Sequence, residues 1–324
     1  MKYGEVPGIE KPISRIVQGI IQVPRGDTEK DEKGFALLDA ALEAGINTID
    51  TAHVYGPADV FLGRWITSRG IRDKVVVLAK GAHHNDFRKR VTPYDIGADL
   101  HDTLARMKTD YIDLYVLHRD DPDYPVEPIV DALNQFTREG KIKAFGGSNW
   151  TTDRLVAANE YAKQSGQIPF AVSSPNFSLA DQKQEPWQGC VSISGPGKEA
   201  ERQWYVTNKL PLFTWSSMAG GFMSGRITRD NLAEFTGGLD KLAVDCYAAE
   251  DNFERLDRAK AVADRHGLSL PQIALAYVLH YPLDIYALVG SATAEEIKAN
   301  VVALNTDLTE AEMAYLDLRV SHLT

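Results

Sequence analysis

Short β-prone runs alternate with helical segments along almost the whole chain, at the spacing of roughly 30 to 40 residues that βαβ units require. Eight of these runs predict strands: SRIVQG, INTID, KVVVLAK, YIDLYVLH, KIKAFGGSN, IPFAVSS, LPLFTWSS and DIYALVGSA. Unbroken apolar stretches such as KVVVLAK are typical of parallel strands that are buried on both faces. Eight strand–helix units favour a closed sheet over an open one, so we predict an α/β fold of the (β/α)8 TIM barrel type.

Residues that start and stop helices fall between the predicted strands. Thr92 followed by Pro93 is typical of a helix start. Thr28 and Asp31 have the spacing of an N-cap and the third helical residue, so we predict that Thr28 caps the first long helix. Gly45 is expected to end that helix, because glycine readily adopts the left-handed conformation that follows a helix.

No linker rich in proline, glycine and serine divides the chain, so we predict a single domain over residues 1–324. Two stretches exceed what a minimal barrel needs. Residues 178–209 form a long loop before the seventh strand, and residues 226–266 add a loop and an extra helix. A C-terminal helix, TEAEMAYLDLRV, follows the eighth unit. Long insertions in barrels usually lie at the catalytic face.

The composition restricts the partners. With 35 Lys and Arg against 45 Asp and Glu, the formal net charge is −10, which argues against nucleic acid and anionic membranes. Two cysteines in a long chain suit free thiols in a reducing compartment. Neither a secretory signal nor an apolar run long enough to span a bilayer is visible, so we expect a cytoplasmic protein.

Polar side chains follow consecutive predicted strands. Asp50 ends the second strand and Tyr55 lies in the loop after it, while Lys80 ends the third strand and His118 the fourth. Taken singly, each has a structural interpretation: a turn cap, a packing residue, a solvent-directed cation and a hydrogen-bonded histidine. Because the C-terminal ends of barrel strands open onto one face, we expect the four side chains to converge on one site.

Such a group has the chemistry of a carbonyl reductase. A free phenol has a pKa of about 10, but a neighbouring ammonium stabilises the phenolate, so we expect Lys80 to lower the pKa of Tyr55. Asp50 would hold the lysine in place. A neutral His118 would orient the carbonyl oxygen that Tyr55 protonates. No side chain supplies hydride, so a nicotinamide cofactor is implied.

The four residues, together with the segments DTAHVYG and GGSN, resemble the catalytic tetrad and signatures of the aldo-keto reductase superfamily. The resemblance runs from PISRIVQG to the C-terminal helix. It implies a (β/α)8 barrel, an extended nicotinamide cofactor and direct hydride transfer to a carbonyl. It also implies that Tyr55 is the proton donor, that Lys80 and Asp50 tune it, and that His118 orients the carbonyl.

The resemblance further implies where the cofactor contacts the chain. Ser148 and Asn149 would hold the carboxamide, and Trp215 would stack on the nicotinamide ring. Ser174 departs from the family, which often has a glutamine there, so its contact with the carboxamide would be lost or pass through water. The expected contacts, including those along the pyrophosphate and around the adenosine half, are Gly19, Ile20, Ile21, Asp50, Ser148, Asn149, Ser174, Trp215, Ser216, Ser217, Met218, Gly220, Gly290, Ser291, Thr293, Glu296 and Asn300.

The segment GSATAEEIKAN, residues 290–300, bears on the choice of cofactor. It predicts a helix that starts at Thr293 and directs its N-terminus at the adenosine end, where a 2′-phosphate could dock. NADP-preferring relatives generally add arginine or lysine on this turn, whereas this chain has Ala292, Thr293 and Glu296. A carboxylate accepts hydrogen bonds from ribose hydroxyls, so we predict that NAD(H) is favoured and NADP(H) is possible. Alternatively, Glu296 only closes a capping box with Thr293.

The substrate is expected to be a small carbonyl compound or alcohol. Trp150 follows the SN pair and Trp187 lies in the long loop. Aromatic platforms flanked by hydrogen-bonding groups suit a sugar-like or other polyhydroxylated compound, contacted by His84, Trp150 and Trp187. Trp187 could equally pack the insertion, and simple aldehydes are an alternative substrate class. A polar rim is expected from His84, Arg119, Asp120 and Asp121.

Two other functions are open on the sequence. Metal-dependent barrel hydrolases often have two histidines one residue apart at an early strand end. Here His83 and His84 are adjacent and no such pair follows the first strand, so we predict no metal site. Some members of the resembled superfamily are non-enzymatic, nicotinamide-binding subunits of potassium channels. This chain keeps all four tetrad residues and has no long basic arm, which favours the enzyme.

Overall fold

The computed structural model describes residues 1–323, and eight parallel strands in it close into a barrel. Before the barrel, β1 (Tyr3–Gly4) and β2 (Ile13–Ser14) form an antiparallel hairpin. The barrel strands are β3 (Ile16–Gly19), β4 (Thr48–Ala52), β5 (Val76–Gly81), β6 (Ile112–Leu117), β7 (Ile142–Ser148), β8 (Val172–Ser174), β9 (Leu212–Thr214) and β10 (Ile285–Val289). All eight predicted strands are present, so the predicted α/β barrel is confirmed.

Helices separate most of the strands. They are α1 (Thr28–Glu43), α2 (Ala58–Arg69), α3 (Pro93–Met107), α4 (Val126–Arg138), α5 (Thr152–Gln164), α6 (Glu199–Asn208), α7 (Gly238–Tyr247), α8 (Glu250–His266), α9 (Leu270–His280), α10 (Ala294–Leu304) and α11 (Glu310–Leu316). The predicted C-terminal helix is α11. The predicted extra helix is two helices, α7 and α8, because Ala249 between them is extended.

The contacts within the chain group it into two compact units. The first unit comprises Met1–Ser174 and Gly290–Ile297, and it contains β1 to β8. The second comprises Pro175–Val289 and the segment from Lys298, and it contains β9 and β10, which pair in parallel. The single domain predicted over residues 1–324 stays a prediction.

At two helix starts, a side chain close in the sequence caps the helix. The Thr92 side chain accepts a hydrogen bond from the backbone N–H of Asp95 and caps α3, as predicted. The prediction for α1 was wrong by one residue, because Asp27 and not Thr28 is the cap. The Asp27 carboxylate accepts from the backbone N–H of Lys30 at 2.9 Å. A carboxylate at this position also interacts favourably with the helix dipole, which a threonine hydroxyl does not.

The hairpin is tied to the first unit by a buried carboxylate. Asp113, at the start of β6, is 1% exposed. It lies 2.6 Å from the Lys11 ammonium and 2.8 Å from the Arg72 guanidinium, and it accepts from the backbone N–H of Val77 at 3.0 Å. These contacts join the hairpin loop to β5 and β6 at the strand ends opposite the mouth of the barrel.

The chain has two cysteines. Cys190 and Cys246 are not joined by a disulfide bond, in agreement with the predicted thiols. Burial raises the pKa of the Cys246 thiol to about 11.

In residues 1–323, no helix has the length and apolar character needed to cross a membrane.

Candidate active site

The structure brings Asp50, Tyr55, Lys80 and His118 together in the first unit. Asp50 lies in β4, Lys80 in the neighbouring β5, and His118 directly follows β6. Tyr55 ends a 3-10 turn that follows β4. Adjacent strands are about 4.8 Å apart, so these positions share one mouth of the sheet.

Asp50 and Lys80 form a buried ion pair. The Lys80 ammonium donates to Oδ1 of Asp50. Only 3% of the lysine side chain and 7% of the aspartate side chain are exposed. Burial raises the pKa of the Asp50 carboxyl, and the charge of Lys80 limits that rise. Removing either partner would leave an unpaired charge inside the protein, which is strongly destabilising.

Tyr55 stands beside this pair. The Lys80 ammonium lies 5.9 Å from the centre of the tyrosine ring, and the ring meets His118 edge to face at 5.8 Å between centroids. The expectation that Lys80 lowers the pKa of Tyr55 was wrong. Burial raises that pKa, Asp50 raises it further, and the Arg119 charge opposes the rise. Because Asp50 already neutralises Lys80, desolvation dominates, and the phenol is protonated at neutral pH.

The loop that carries Tyr55 is held by side chains from two directions. The Arg25 guanidinium donates to the Tyr55 carbonyl at 3.4 Å, and Arg106 donates to the carbonyl of His53 at 3.3 Å. Gly56 follows at φ +63°, a left-handed conformation that glycine adopts without steric cost. The 3-10 turn therefore ends directly after Tyr55.

His118 is a neutral imidazole. Its pKa lies well below the ordinary value because burial disfavours the cation, and the charges of Lys80 and Arg119 add to that effect. Nδ1 of His118 is buried and has no hydrogen-bond partner. The ring packs edge to face on His83, with 4.9 Å between centroids. A neutral imidazole with a free ring nitrogen can still serve as a donor or acceptor for a bound molecule.

The residues expected at a nicotinamide carboxamide also lie in the first unit. The Ser148 hydroxyl donates to the Ser174 carbonyl at 2.9 Å, and the Asn149 amide donates to the Ser148 hydroxyl at 3.2 Å. Asn149 has φ +61°, an unfavourable conformation for a non-glycine residue. The Ser174 hydroxyl is fully buried and unpartnered. A buried oxygen without a partner fits an amide group that would complete its hydrogen bonding.

The segment after β3 and the start of α10 lie in the first unit too. Gly19, Ile20 and Ile21 follow one another there, and the N–H of Ile20 donates to the Asp50 carbonyl at 3.1 Å. Sequence reasoning missed the fully buried Gln18. Its amide donates to the Ser291 carbonyl at 3.2 Å, and its Oε1 has no partner. A lone glutamine in the apolar run SRIVQG was the available signal.

The helix α10 begins at Ala294, one residue later than predicted. The Thr293 hydroxyl accepts from the backbone N–H of Glu296 at 3.1 Å and therefore caps the helix instead of belonging to it. The Glu296 carboxylate accepts from the backbone N–H of Ala292 at 2.7 Å. Glu296 thus closes its own helix start while its side chain remains exposed. Gly290 precedes this turn, and Asn300 is half-buried on α10.

The other expected cofactor contacts lie in the second unit, in the loop after β9. The Trp215 carbonyl accepts from the Asn176 side chain at 3.1 Å, and Nε1 of Trp215 is buried without a partner. Ser216 has φ +50°, and the buried Ser217 hydroxyl donates to the Thr214 carbonyl at 3.0 Å. Met218 directly precedes a 3-10 segment, Ala219–Ser224, in which Gly220 is exposed.

The residues expected at the substrate differ in exposure. Trp150 is fully buried and packs on Phe170, with 4.9 Å between ring centroids. Trp187, in the second unit, is 50% exposed. His84 is half-buried, and burial lowers its pKa. Whether these three contact a substrate stays a prediction.

The expected polar rim contains acids that are already paired. Asp120 binds Arg154 at 2.8 Å, and Asp121 binds Lys89 at 2.7 Å. Arg119 is buried, which the sequence did not indicate. Within the part of the chain that the structure describes, no group of three or more His, Cys, Asp or Glu residues could hold a metal ion.

The geometry agrees with comparisons to known proteins. The model of the Aldo/keto reductase family matches residues 15–319. The chain is 26% identical to the aryl-alcohol dehydrogenase (NADP+) of Phanerodontia chrysosporium over 337 residues, which cover 96% of this chain and 83% of the relative. It is 29% identical to norsolorinic acid reductase of Emericella nidulans over 312 residues, covering 89% and 72%. A glycerol dehydrogenase structure from Gluconobacter oxydans shares the fold, with a TM-score of 0.76, 22% identity and coverage of 97% and 93%.

The depressed pKa of His118 predicts a pH dependence of stability. The unfolded chain protonates this histidine below about pH 6.5, while the folded chain resists protonation, so the free energy of unfolding falls as the pH drops below that value. We expect His118→Gln to lose less stability than the wild type between pH 7 and pH 5, measured by urea unfolding. The same substitution at an exposed position, His101→Gln, is the matched control. Equal dependence in His118→Gln and the wild type would contradict the assignment.

Proposed function

Because the chain belongs to the aldo/keto reductase family of oxidoreductases, we propose that it interconverts a carbonyl and an alcohol by hydride transfer, with Tyr55 as the proton donor. The observation that carries the proposal is the arrangement of four groups. A protonated phenol stands between a buried ion pair, Asp50 with Lys80, and the neutral His118. This arrangement offers an acid, a cation and a neutral hydrogen-bonding group to one reacting oxygen.

Each group has a step to perform. A bound nicotinamide cofactor supplies or accepts the hydride. As a carbonyl oxygen gains negative charge, the Tyr55 hydroxyl donates its proton to that oxygen. The N–H of the neutral His118 donates a hydrogen bond to the same oxygen and orients the substrate. The nearby positive charge of Arg119 stabilises the phenolate that the transfer leaves behind, whereas Asp50 already neutralises Lys80.

We propose that the cofactor's carboxamide binds near Ser148, Asn149 and Ser174. The buried, unpartnered Ser174 hydroxyl supports this position, because an amide would supply the missing partner. The remaining contacts are carried over from the family pattern, and they are Gly19, Ile20, Ile21, Asp50, Trp215, Ser216, Ser217, Met218, Gly220, Gly290, Ser291, Thr293, Glu296 and Asn300.

Replacing the proton donor tests the chemistry. Tyr55→Phe should fold and bind cofactor but lose activity, with kcat/KM lowered roughly 100- to 10,000-fold, because general acid assistance is removed. Lys80→Met should also lose activity, but it leaves the buried Asp50 without its partner and should lower stability as well. Tyr94→Phe is the matched control, since Tyr94 is 80% exposed and should be replaceable without loss. Steady-state assays give kcat/KM, and quenching of tryptophan fluorescence reports cofactor binding. Near-normal turnover by Tyr55→Phe would overturn the assignment.

The alternative function is a regulatory subunit that binds a nicotinamide without turning over a substrate. Retained cofactor binding together with no turnover across a broad panel of carbonyl compounds would favour it. The complete set of four residues at the site supports the enzyme instead. We also propose a cytoplasmic location, which two cysteines that are not joined by a disulfide bond support.

We propose that NAD(H) is favoured over NADP(H), although the Phanerodontia chrysosporium relative carries NADP+ in its name. The start of α10 supports the proposal, because the Glu296 carboxylate in its first turn is exposed and residues 290–296 include no arginine or lysine. A 2′-phosphate would meet a negative charge and no guanidinium. A ribose 2′-hydroxyl could instead donate to the carboxylate.

The choice of cofactor can be tested at one position. Glu296→Arg should shift the ratio of kcat/KM values for the two cofactors towards NADP(H), because it replaces repulsion with a bidentate phosphate contact. Glu296→Gln separates charge from capping, since its amide oxygen can still accept from Ala292. Glu295→Arg, one residue away on the same turn, controls for added positive charge. A strong preference of the wild type for NADP(H) would contradict the proposal and leave the reductase assignment intact.

We propose a sugar-like or other polyhydroxylated substrate, with simple aldehydes as the alternative. His84 in the first unit and Trp187 in the second support it, since each offers accessible surface suited to a polyol. The fully buried Trp150 would contribute through its unpartnered indole N–H.

Trp187→Ala should raise KM for sugar aldehydes more than it changes the affinity for the cofactor. Trp187→Phe keeps an aromatic surface and should restore most of the loss. An activity screen over oxidised sugars, polyols and aromatic aldehydes, with each cofactor in turn, measures these effects. Equal rates on sugars and hydrophobic aldehydes that are insensitive to Trp187 would count against a sugar-like substrate.

A further inference from the structure

Three arginines of residues 1–323 are buried, and Arg119 differs from the other two in lacking a carboxylate partner. Arg119, Arg202 and Arg255 are 6%, 7% and 2% exposed. Arg255 lies 2.8 Å from the Asp251 carboxylate, and Arg202 lies 3.4 Å from that of Glu199. Arg119 has no carboxylate within ion-pair distance among the described residues. Its one hydrogen bond runs from Nη1 to the carbonyl oxygen of His118 at 3.2 Å.

The acids nearest to Arg119 in the chain are engaged elsewhere. Asp120 accepts two hydrogen bonds from Arg154, at 2.8 and 2.9 Å. Asp121 binds the Lys89 ammonium at 2.7 Å. The positive charge of Arg119 is therefore not compensated by the two aspartates that follow it in the sequence.

Arg119 also belongs to the site and not to a distant surface. It directly follows His118, and its charge lowers the pKa of Tyr55, His83, His84 and His118. Burial keeps these histidines predominantly neutral, and the one acid of the tetrad already pairs with Lys80. None of the Arg119 nitrogens is both buried and unpartnered, so its remaining N–H groups face accessible space.

We propose that Arg119 binds an anionic oxygen group of the substrate, a carboxylate or a phosphate, and so selects carbonyl compounds that carry such a group. The inference rests on the proposed carbonyl–alcohol function. A buried charge without a counter-ion is unfavourable, and the planar guanidinium fork matches both anions in bidentate geometry. Nδ1 of His84, which is buried and unpartnered, offers a second hydrogen-bonding group to the same anion.

Matched substrate pairs test the inference. Succinic semialdehyde is compared with butanal for the carboxylate, and glyceraldehyde 3-phosphate with glyceraldehyde for the phosphate. The wild type should prefer at least one anionic member of the pairs. In Arg119→Met, the ratio of kcat/KM for that anionic member over its neutral partner should fall about 30-fold or more, mainly through KM. Using the ratio within each variant cancels any general effect on catalysis or on the fraction of folded enzyme.

A second variant and a control complete the test. Arg119→Lys keeps the charge but loses the fork, so the same ratio should fall about tenfold, which also serves if Arg119→Met fails to fold. Lys163→Met removes an exposed charge near the end of α5, away from the acids that follow Arg119, and should leave the ratio unchanged.

The outcomes separate the two proposals. Turnover without an anionic preference, a ratio unchanged in both Arg119 variants, or a loss in Arg119→Met confined to the KM of the cofactor would overturn the role of Arg119 while the reductase assignment stands. No turnover of either member of both pairs, with either cofactor, would overturn the proposed function together with this inference.

Discussion

The site depends on one buried ion pair, between Lys80 on β5 and Asp50 on β4. Two charges taken out of water are tolerated only when each is the partner of the other, and here parallel pairing of adjacent strands supplies that geometry. The pair fixes a cation beside Tyr55 and keeps its charge from the solvent. The loop that carries Tyr55 is in turn pinned through its carbonyl groups by Arg25 and Arg106.

Charge around this pair is distributed unevenly. Lys80 is neutralised by Asp50, so burial dominates the pKa of Tyr55 and keeps the phenol protonated. The neighbouring histidines are held largely neutral by burial and by nearby cations. Arg119, in contrast, has no carboxylate within ion-pair distance among residues 1–323. These charges suit the proposed proton donation by Tyr55 and the proposed binding of a negatively charged ligand.

The comparisons agree on chemistry and leave specificity open. The family match over residues 15–319 establishes an oxidoreductase on a barrel. The similar proteins act on aryl alcohols and norsolorinic acid by their names, and identities of 26% and 29% do not transfer those substrates. Specificity in barrels resides in the loops after the strands. In this chain those loops include the long segment with Trp187 and the segment that begins with Arg119.

The sequence by itself determined the eight strands, the order of the tetrad and the cap of α3, because strand periodicity, position at a strand end and capping are local properties. Tertiary structure decided the rest. Asp120 pairs with Arg154, 34 residues away, and not with the adjacent Arg119. Burial reversed the expected shift of the Tyr55 pKa. It also enclosed Gln18 and Trp150 completely. Ion pairing and desolvation depend on which distant side chains meet, and no spacing along the chain specifies that.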